Sequence, residues 1–507
     1  MGFSAFCFTC CSQFPDLKSC NKAIKKQLQD GNVNQAFSAY VSMQENGFNP
    51  DNFTYPLLLH AAGHHSLVHL GYTLHGQVMK TGYYNHLFVQ TSLLNMYSSF
   101  KDIQNAHKLF VNMPIRDSIA WNSMLNSYAS HSEMEEAAKL FEALPYKDLT
   151  SFNIMISGYA KVGELELARS FFNAAPEKDI ASWNSMILAC KVSGNMEEAR
   201  RLFEEAPRKN IVTWNTMVNG YVHNELYTDS VGLFDEMIAQ KFEPDKVTVA
   251  GVLAACAHQT SLEVGMTIHI YALENHLMCP EVITSLIDMY AKCGSIAHAL
   301  EVFYKAKVKD IFCWNAIISG LALNGHGFEA LKLFEEMKCN ESLRPDDITF
   351  IAILSACSHS GLVREGCSIF ASMKNYSVSP KLQHYCCMVN LLGRANLLTQ
   401  ALHLVESMPF EPGETILGAL LSSCVTHQNI KVGKEVAKIV IRRGGRLSDG
   451  EYMMLSNLYA SVGEWEESAL WRQKMNEEGI VKTAGCSVIE LNGKNHKFFA
   501  WDLSLDS

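Results

Sequence analysis

Apolar residues along this chain recur at helical spacing, and the same pattern returns many times. Trp121, Met124, Leu125 and Tyr128 follow i, i+3, i+4, i+7. After a polar turn, Ala137, Leu140, Phe141 and Leu144 repeat the spacing, and sister stretches hold Gly163 or Gly194 in that turn. Each period therefore predicts two antiparallel amphipathic helices. The start is marked by Trp121-Asn122, Phe152-Asn153, Trp183-Asn184 and Trp214-Asn215, at intervals of 31 residues, and again by Trp314-Asn315. Many periods end in a charged stop, at Asp117, Asp148, Asp179 or Asp245. One helical hairpin cannot bury its own apolar faces, but stacked neighbours can. The expected fold is an all-α solenoid of stacked helix-turn-helix repeats, with the tryptophans packing between repeats rather than acting as ligand platforms.

Composition agrees with a packed array. Hydrophobic residues make up 48% of the 507 and charged ones 19%, too apolar for a disordered chain. The net charge of −10 argues against a nucleic-acid binder that works by bulk charge, though not against one that works by local chemistry. The 16 cysteines lie mostly inside apolar helical patterns, as at Cys190, Cys256, Cys357 and Cys424, and read as buried thiols of a reducing compartment. No uncharged apolar run reaches bilayer length, since the richest, 436–441, contains Lys438. No membrane association is expected. The first fifteen residues carry no charge. Residues 1–16 are read as an unstructured leader, a remnant of a targeting peptide at most. Cys7 and Cys10 have zinc spacing, but no second pair follows at finger distance. No metal site and no cofactor are expected.

The unit is similar to the pentatricopeptide repeat, in particular to its plant PLS form with P, L and S types. SLIDMYAKCGSIAHA (285–299) and ILSACSHSGLVREG (353–366) resemble the family consensus. About twelve units fill 17–412, beginning at 17, 52, 87, 118, 149, 180, 211, 246, 280, 311, 347 and 382. Beyond them HYCCMVNLLGRA (384–395), ALLSSC (419–424), MLSNLYASVGEW (454–465) and GCSVIELNGKNHKFF (485–499) resemble the family's C-terminal extensions. The resemblance implies an E1/E2 helical extension over 413–482 and a short E+ like tail over 483–507. It also implies a right-handed superhelix. The tail departs from the family's usual motif at Trp501-Asp502-Leu503-Ser504.

Asn is the fifth residue of many units, and Asp or Asn is the last. In a stacked array the last residue precedes the next unit's first helix, so these two side chains sit side by side on the concave face. An amide offers a donor and an acceptor, and a carboxylate accepts only. Together they can sort the Watson–Crick edges of a splayed single-stranded base, one base per repeat. Apolar second residues, at Ile119, Val212 and Phe312, can pack on base faces. Asn and Asp at helix starts are also ordinary caps, and for one unit alone either reading serves. Recurrence at two fixed positions favours base reading. The family's code, carried by resemblance, translates Asn21/Asp51 as U, Thr91/Asp117 as G, Asn122/Asp148 and Asn153/Asp179 as U, and Asn184/Asn210 as a pyrimidine. It gives U for Asn215/Asp245, G for Thr284/Asp310 and U for Asn315/Asp346. Pro56, Ala250 and Ile351 at the fifth position cannot hydrogen-bond a base, and Cys386 with Pro412 is a weak pair. The implied footprint is 5′-UNGUUYUNGUNN.

Catalysis is not expected. A deaminase needs H-x-E followed by P-C-x-x-C. Here His131-Ser132-Glu133 lies in a repeat turn, and Cys7 to Cys10 is upstream and isolated. No P-loop, dinucleotide fingerprint or nucleophile elbow is present. The leading expectation is an organellar single-stranded RNA-binding protein that specifies C-to-U editing sites, with a deaminase supplied in trans and docked through the C-terminal extension. The mitochondrion is the first choice and the chloroplast the alternative. The rivals are an RNA stability, splicing or translation factor and an α-solenoid protein scaffold.

Overall fold

The protein was analysed as a computed structural model, which describes residues 16–340, 343–442, 447–481, 486–491 and 494–499. Residues 1–15, with the Cys7/Cys10 spacing, and the divergent 501–506 lie outside these. The chain divides into two compact units, Met1–Asn224 and Glu225–Ser507.

Both units are built from helical hairpins. In the first, Ser118–Ser130 is followed by Met134–Ala143, then Leu149–Val162 by Leu165–Ala174, then Ile180–Ser193 by Met196–Glu205. In the second, Pro280–Lys292 is followed by Ile296–Lys305, and Ile311–Leu323 by Gly327–Lys338. Within each unit the first helices of successive repeats pack side by side, and most second helices pack against their own partner and the next first helix. This two-layer stack is the all-α solenoid expected from the periodicity.

The charged stop of each repeat is the N-cap of the next. The Asp148 carboxylate accepts from Ser151 N at 2.8 Å, Asp179 from Ser182 N at 2.9 Å and Asp346 from Thr349 N at 2.8 Å. An N-cap carboxylate satisfies an orphan amide and complements the helix dipole. The residue before the cap serves the preceding helix. Lys178, Lys209 and Lys309 donate to the carbonyls of Ala175, Ala206 and Ala306, which close the second helices. Glycine meets two different demands. Gly163 ends Leu149–Val162 in the left-handed region, at φ 82°. At Gly320 a Cβ would stand 2.6 Å from that of Ala291, so only glycine admits this approach of neighbouring first helices.

The core is a repeated aromatic step. Phe110, Phe172 and Phe303 meet Trp121, Trp183 and Trp314 of the following repeat edge-on, at centroid distances of 4.9, 5.1 and 4.8 Å. Phe141 meets Phe152 in the same way at 5.2 Å. A cation covers each phenylalanine: Arg116, Lys147, Lys178 and Lys309 stand 4.8–5.4 Å from the ring centroids. The tryptophans are packing residues.

Beyond the repeats the hairpin pattern continues through Glu414–Thr426, Ile430–Arg442, Asp449–Ser461 and Trp465–Glu477. Their core is continuous with the last repeat, running from Tyr385 and Leu392 through Leu417 and Val436 to Leu455 and Trp471. The departure from an all-helical reading comes at the tail. Strand β1 (Cys486–Leu491) pairs antiparallel with β2 (Lys494–Phe499), Leu491 opposite Lys494. The dipeptide Asn492-Gly493 between them is the sequence signal for a tight hairpin.

Candidate nucleic-acid interface

The fifth residue of each repeat lies one turn into its first helix, and the last residue caps the next one. Stacking the first helices brings the two together across the repeat junction. Asn21 Nδ2 donates to Asp51 Oδ1 at 3.1 Å, and Asn122 Nδ2 to both oxygens of Asp148 at 3.2 and 3.1 Å. Asn153 Nδ2 reaches Asp179 Oδ1 at 3.0 Å, and Asn315 Nδ2 reaches Asp346 Oδ1 at 3.2 Å. Asn184 Nδ2 stands 3.4 Å from Asn210 Oδ1, the longest of the set. Asn–Asp or Asn–Asn bonds thus join these five expected pairs directly.

The two threonine pairs differ. Thr91 Oγ1 donates back to Leu87 O at 3.0 Å, and Thr284 Oγ1 to Pro280 O at 2.9 Å, while Asp117 and Asp310 cap Ala120 N and Cys313 N, each at 2.9 Å. Neither hydroxyl is bonded to its aspartate; Thr284 Oγ1 instead meets Cys313 Sγ, the third residue of the following repeat, at 3.2 Å. Of the eighth pair, Asn215 is the fifth residue of Ile211–His223 in the first compact unit, and Asp245 caps Lys246–Gln259 in the second.

Each joined pair therefore combines capping and pairing. One aspartate oxygen holds a helix N-terminus and an amide, and most of these carboxylates keep the second oxygen for another donor. Burial alone would raise the carboxyls of Asp51 and Asp179. The main-chain N–H and hydroxyl of Thr54 or Ser182, with the amide of Asn21 or Asn153, outweigh it and hold both below their ordinary 3.8. Both are ionised at neutral pH. The pairs are half-buried, except for the more open Asp179 and the buried Asn315. Beside them, Ile119, Val212 and Phe312 are 56%, 52% and 61% exposed, with Phe53 and Phe88 in the equivalent position also exposed.

The sequence reading missed a third participant, the third residue of the following repeat. Thr54, Ser182 and Thr349 are fully buried and donate to the amide oxygens of Asn21, Asn153 and Asn315 at 2.7, 2.6 and 2.6 Å. Among the described residues no cluster of three or more His, Cys, Asp or Glu could hold a metal ion, and no helix is long and apolar enough to cross a membrane. His131, in the expected turn, has its ring nitrogen on Ser127 O at 2.7 Å.

The chain is 46% identical over 498 residues to pentatricopeptide repeat-containing protein At3g29230 of Arabidopsis thaliana, an alignment covering 97% of this chain and 83% of that protein. This chain belongs to the pentatricopeptide repeat family. The family's repeat models match 119–149, 150–180, 181–211, 282–311 and 348–378, and, as a longer form, 209–258 and 309–359. Four of these pentatricopeptide repeats start one residue after units expected at 118, 149, 180 and 347. An E motif matches 427–490, overlapping the extension expected at 413–482 and running into β1. ELI1, chloroplastic, also of Arabidopsis thaliana, is 44% identical over 53% of this chain and 43% of its own length. The putative pentatricopeptide repeat-containing protein At3g23330 is 31% identical over 96% of this chain. The chain spans 55% of that relative, so its length relative to kin varies widely. The crystal structure of pentatricopeptide repeat protein PPR10 in complex with an 18-nt psaJ RNA element shares the fold, at a TM-score of 0.51 and 14% identity over 92% of this chain and 80% of that one.

Proposed function

We propose that this chain is a sequence-specific single-stranded RNA-binding protein of an organelle, acting as the site-recognition factor for C-to-U editing with a deaminase supplied in trans. The observation that carries the reading is the row of polar pairs, at three successive junctions from Asn122 to Asn210 and again at Asn21/Asp51 and Asn315/Asp346, with exposed Ile119, Val212 and Phe312 at the second position of several repeats. A pair offers an N–H donor and a carboxylate acceptor to one base edge, and the apolar neighbour offers a surface for its face. RNA bound to PPR10 supports the RNA part of the reading, as a property of that protein. The E motif supports the editing part, with the extension as the docking region for a deaminase.

Within the organelles the mitochondrion is retained as first choice, while two relatives named chloroplastic lend weight to the plastid. The bases assigned to the pairs, and hence the footprint 5′-UNGUUYUNGUNN, rest on the family's code. The test is direct binding. Full-length protein at moderate salt should prefer an RNA carrying the footprint over a scrambled one by at least about tenfold, as 1.4 kcal/mol of summed discrimination requires. Equal affinity would remove base reading and leave the scaffold alternative.

A further inference from the structure

The hydroxyl at the third position of a repeat tracks an asparagine at the fifth position of the repeat before it. Six repeats carry Asn at the fifth position, namely Asn21, Asn122, Asn153, Asn184, Asn215 and Asn315. The third residues of the repeats that follow them are Thr54, Ser151, Ser182, Thr213, Thr248 and Thr349, all hydroxyl-bearing. Where the fifth residue is Pro56, Thr91, Ala250, Thr284 or Ile351, the corresponding residue is Val89, Ala120, Val282, Cys313 or His384. None of these is an alcohol.

Capping does not account for this. A hydroxyl at the third position of a helix also completes a capping box, as Ser182 and Thr349 do. The helices after Thr91 and Thr284 start with aspartate caps too, and would gain as much from one. They have Ala120 and Cys313 instead. What differs is the residue across the junction.

We propose that Thr54, Ser182 and Thr349 are specificity-positioning residues, which lock the orientation of the base-facing amide and so set how strictly their repeats separate uracil from cytosine. The inference rests on the RNA-reading function proposed above. An amide can be turned over, exchanging its donor and its acceptor. At Asn153 it is held from two sides. Asp179 Oδ1 accepts from Nδ2 at 3.0 Å, and Ser182 Oγ donates to Oδ1 at 2.6 Å while standing 2.9 Å from Asp179 Oδ1. Asn21 with Thr54 and Asn315 with Thr349 have the same arrangement. The hydroxyls are shielded from water, so the bond is not exchanged for a solvent one.

A locked amide meets the base through N–H alone. Uracil presents an acceptor, O4, where cytosine presents the amino donor N4. An amide free to turn would satisfy either.

The chain contains its own contrasts. Ser151 Oγ donates to the main-chain carbonyl of Asp148 at 2.7 Å, and the buried Asn122 Oδ1 has no partner, so only the carboxylate orients Asn122. Thr213 Oγ1 turns to Asn210 Oδ1 at 3.0 Å, and the buried Asn184 Oδ1 is also unpartnered, with a neutral amide at 3.4 Å opposite it. Selectivity for U over C should therefore fall from Asn153 through Asn122 to Asn184.

The test compares full-length protein and its variants on RNAs of the footprint series that differ only by U or C at the nucleotide facing Asn153. Ser182→Ala should cut the U:C affinity ratio by roughly 3–10-fold, the worth of one hydrogen bond, while affinity for the C-containing RNA holds or rises. Ser182→Thr should keep the ratio, and Ser151→Ala should leave the ratio at Asn122 unchanged. An unaltered ratio in Ser182→Ala, or equal weakening for both RNAs, overturns the lock while leaving base reading intact. A wild-type protein without U preference at that nucleotide overturns base reading and the lock together.

Discussion

At the scale of single residues, one aspartate performs two tasks. Asp179 caps a helix and orients Asn153, so its removal should be felt twice. Asn153→Ala leaves the cap in place and removes the base-facing amide. Affinity for U-containing RNA should fall roughly 3–10-fold while thermal stability changes little, a separation that binding and melting curves on one sample can read. Acid should act through the carboxylates. Asp51 and Asp179 are held below 3.8, so their contribution to stability is fully present above that value and is lost as pH falls through their lower folded values. Their contribution to melting temperature should be constant between pH 5 and 8 and should fade below about pH 4. Asp179→Asn should flatten part of that acid limb. The Asn/Asp pairs were legible in the sequence because they recur at fixed positions. The hydroxyls of Thr54, Ser182 and Thr349 were not, because serine or threonine near a helix start looks like ordinary capping. Only the folded junction shows what the hydroxyl faces.

At the scale of elements, the helical hairpin was fully legible. Its period fixes which faces are apolar, and stacking is the only way to bury them. The tryptophan, the phenylalanine before it and the cation between them form one unit spread over two repeats. Trp314 is 4% exposed and packs on Phe303. Trp314→Ala should cost about 3–5 kcal/mol, seen as a lower denaturation midpoint. Gly320→Ala places a methyl 2.6 Å from Ala291 Cβ and should cost about 1–3 kcal/mol by prising the two first helices apart. Stability in a stacked array is a sum of local interfaces, so both losses should be concentrated in the neighbouring repeats while distant repeats keep their hydrogen-exchange protection. The β1–β2 hairpin was not anticipated. Its signal in the sequence is the dipeptide Asn492-Gly493 between two short runs, which helical periodicity does not bring out.

At the scale of the whole molecule, a net charge of −10 reads differently once the pairs are known. Bulk attraction to phosphates is unavailable to so acidic a chain, so counter-ion release should contribute little. Affinity should then depend steeply on base identity and weakly on salt, the reverse of a basic groove. A titration between 50 and 200 mM salt should change affinity by less than about tenfold, well short of the 10³–10⁵ expected for six to ten phosphate contacts. Sequence selection by the full-length protein from a random RNA pool tests the central claim most directly. The enriched sequences should carry pyrimidines at the successive nucleotides facing Asn122, Asn153 and Asn184, and again opposite Asn315, in the spacing of 5′-UNGUUYUNGUNN. Enrichment of purines at those nucleotides, or no enrichment at all, would contradict it.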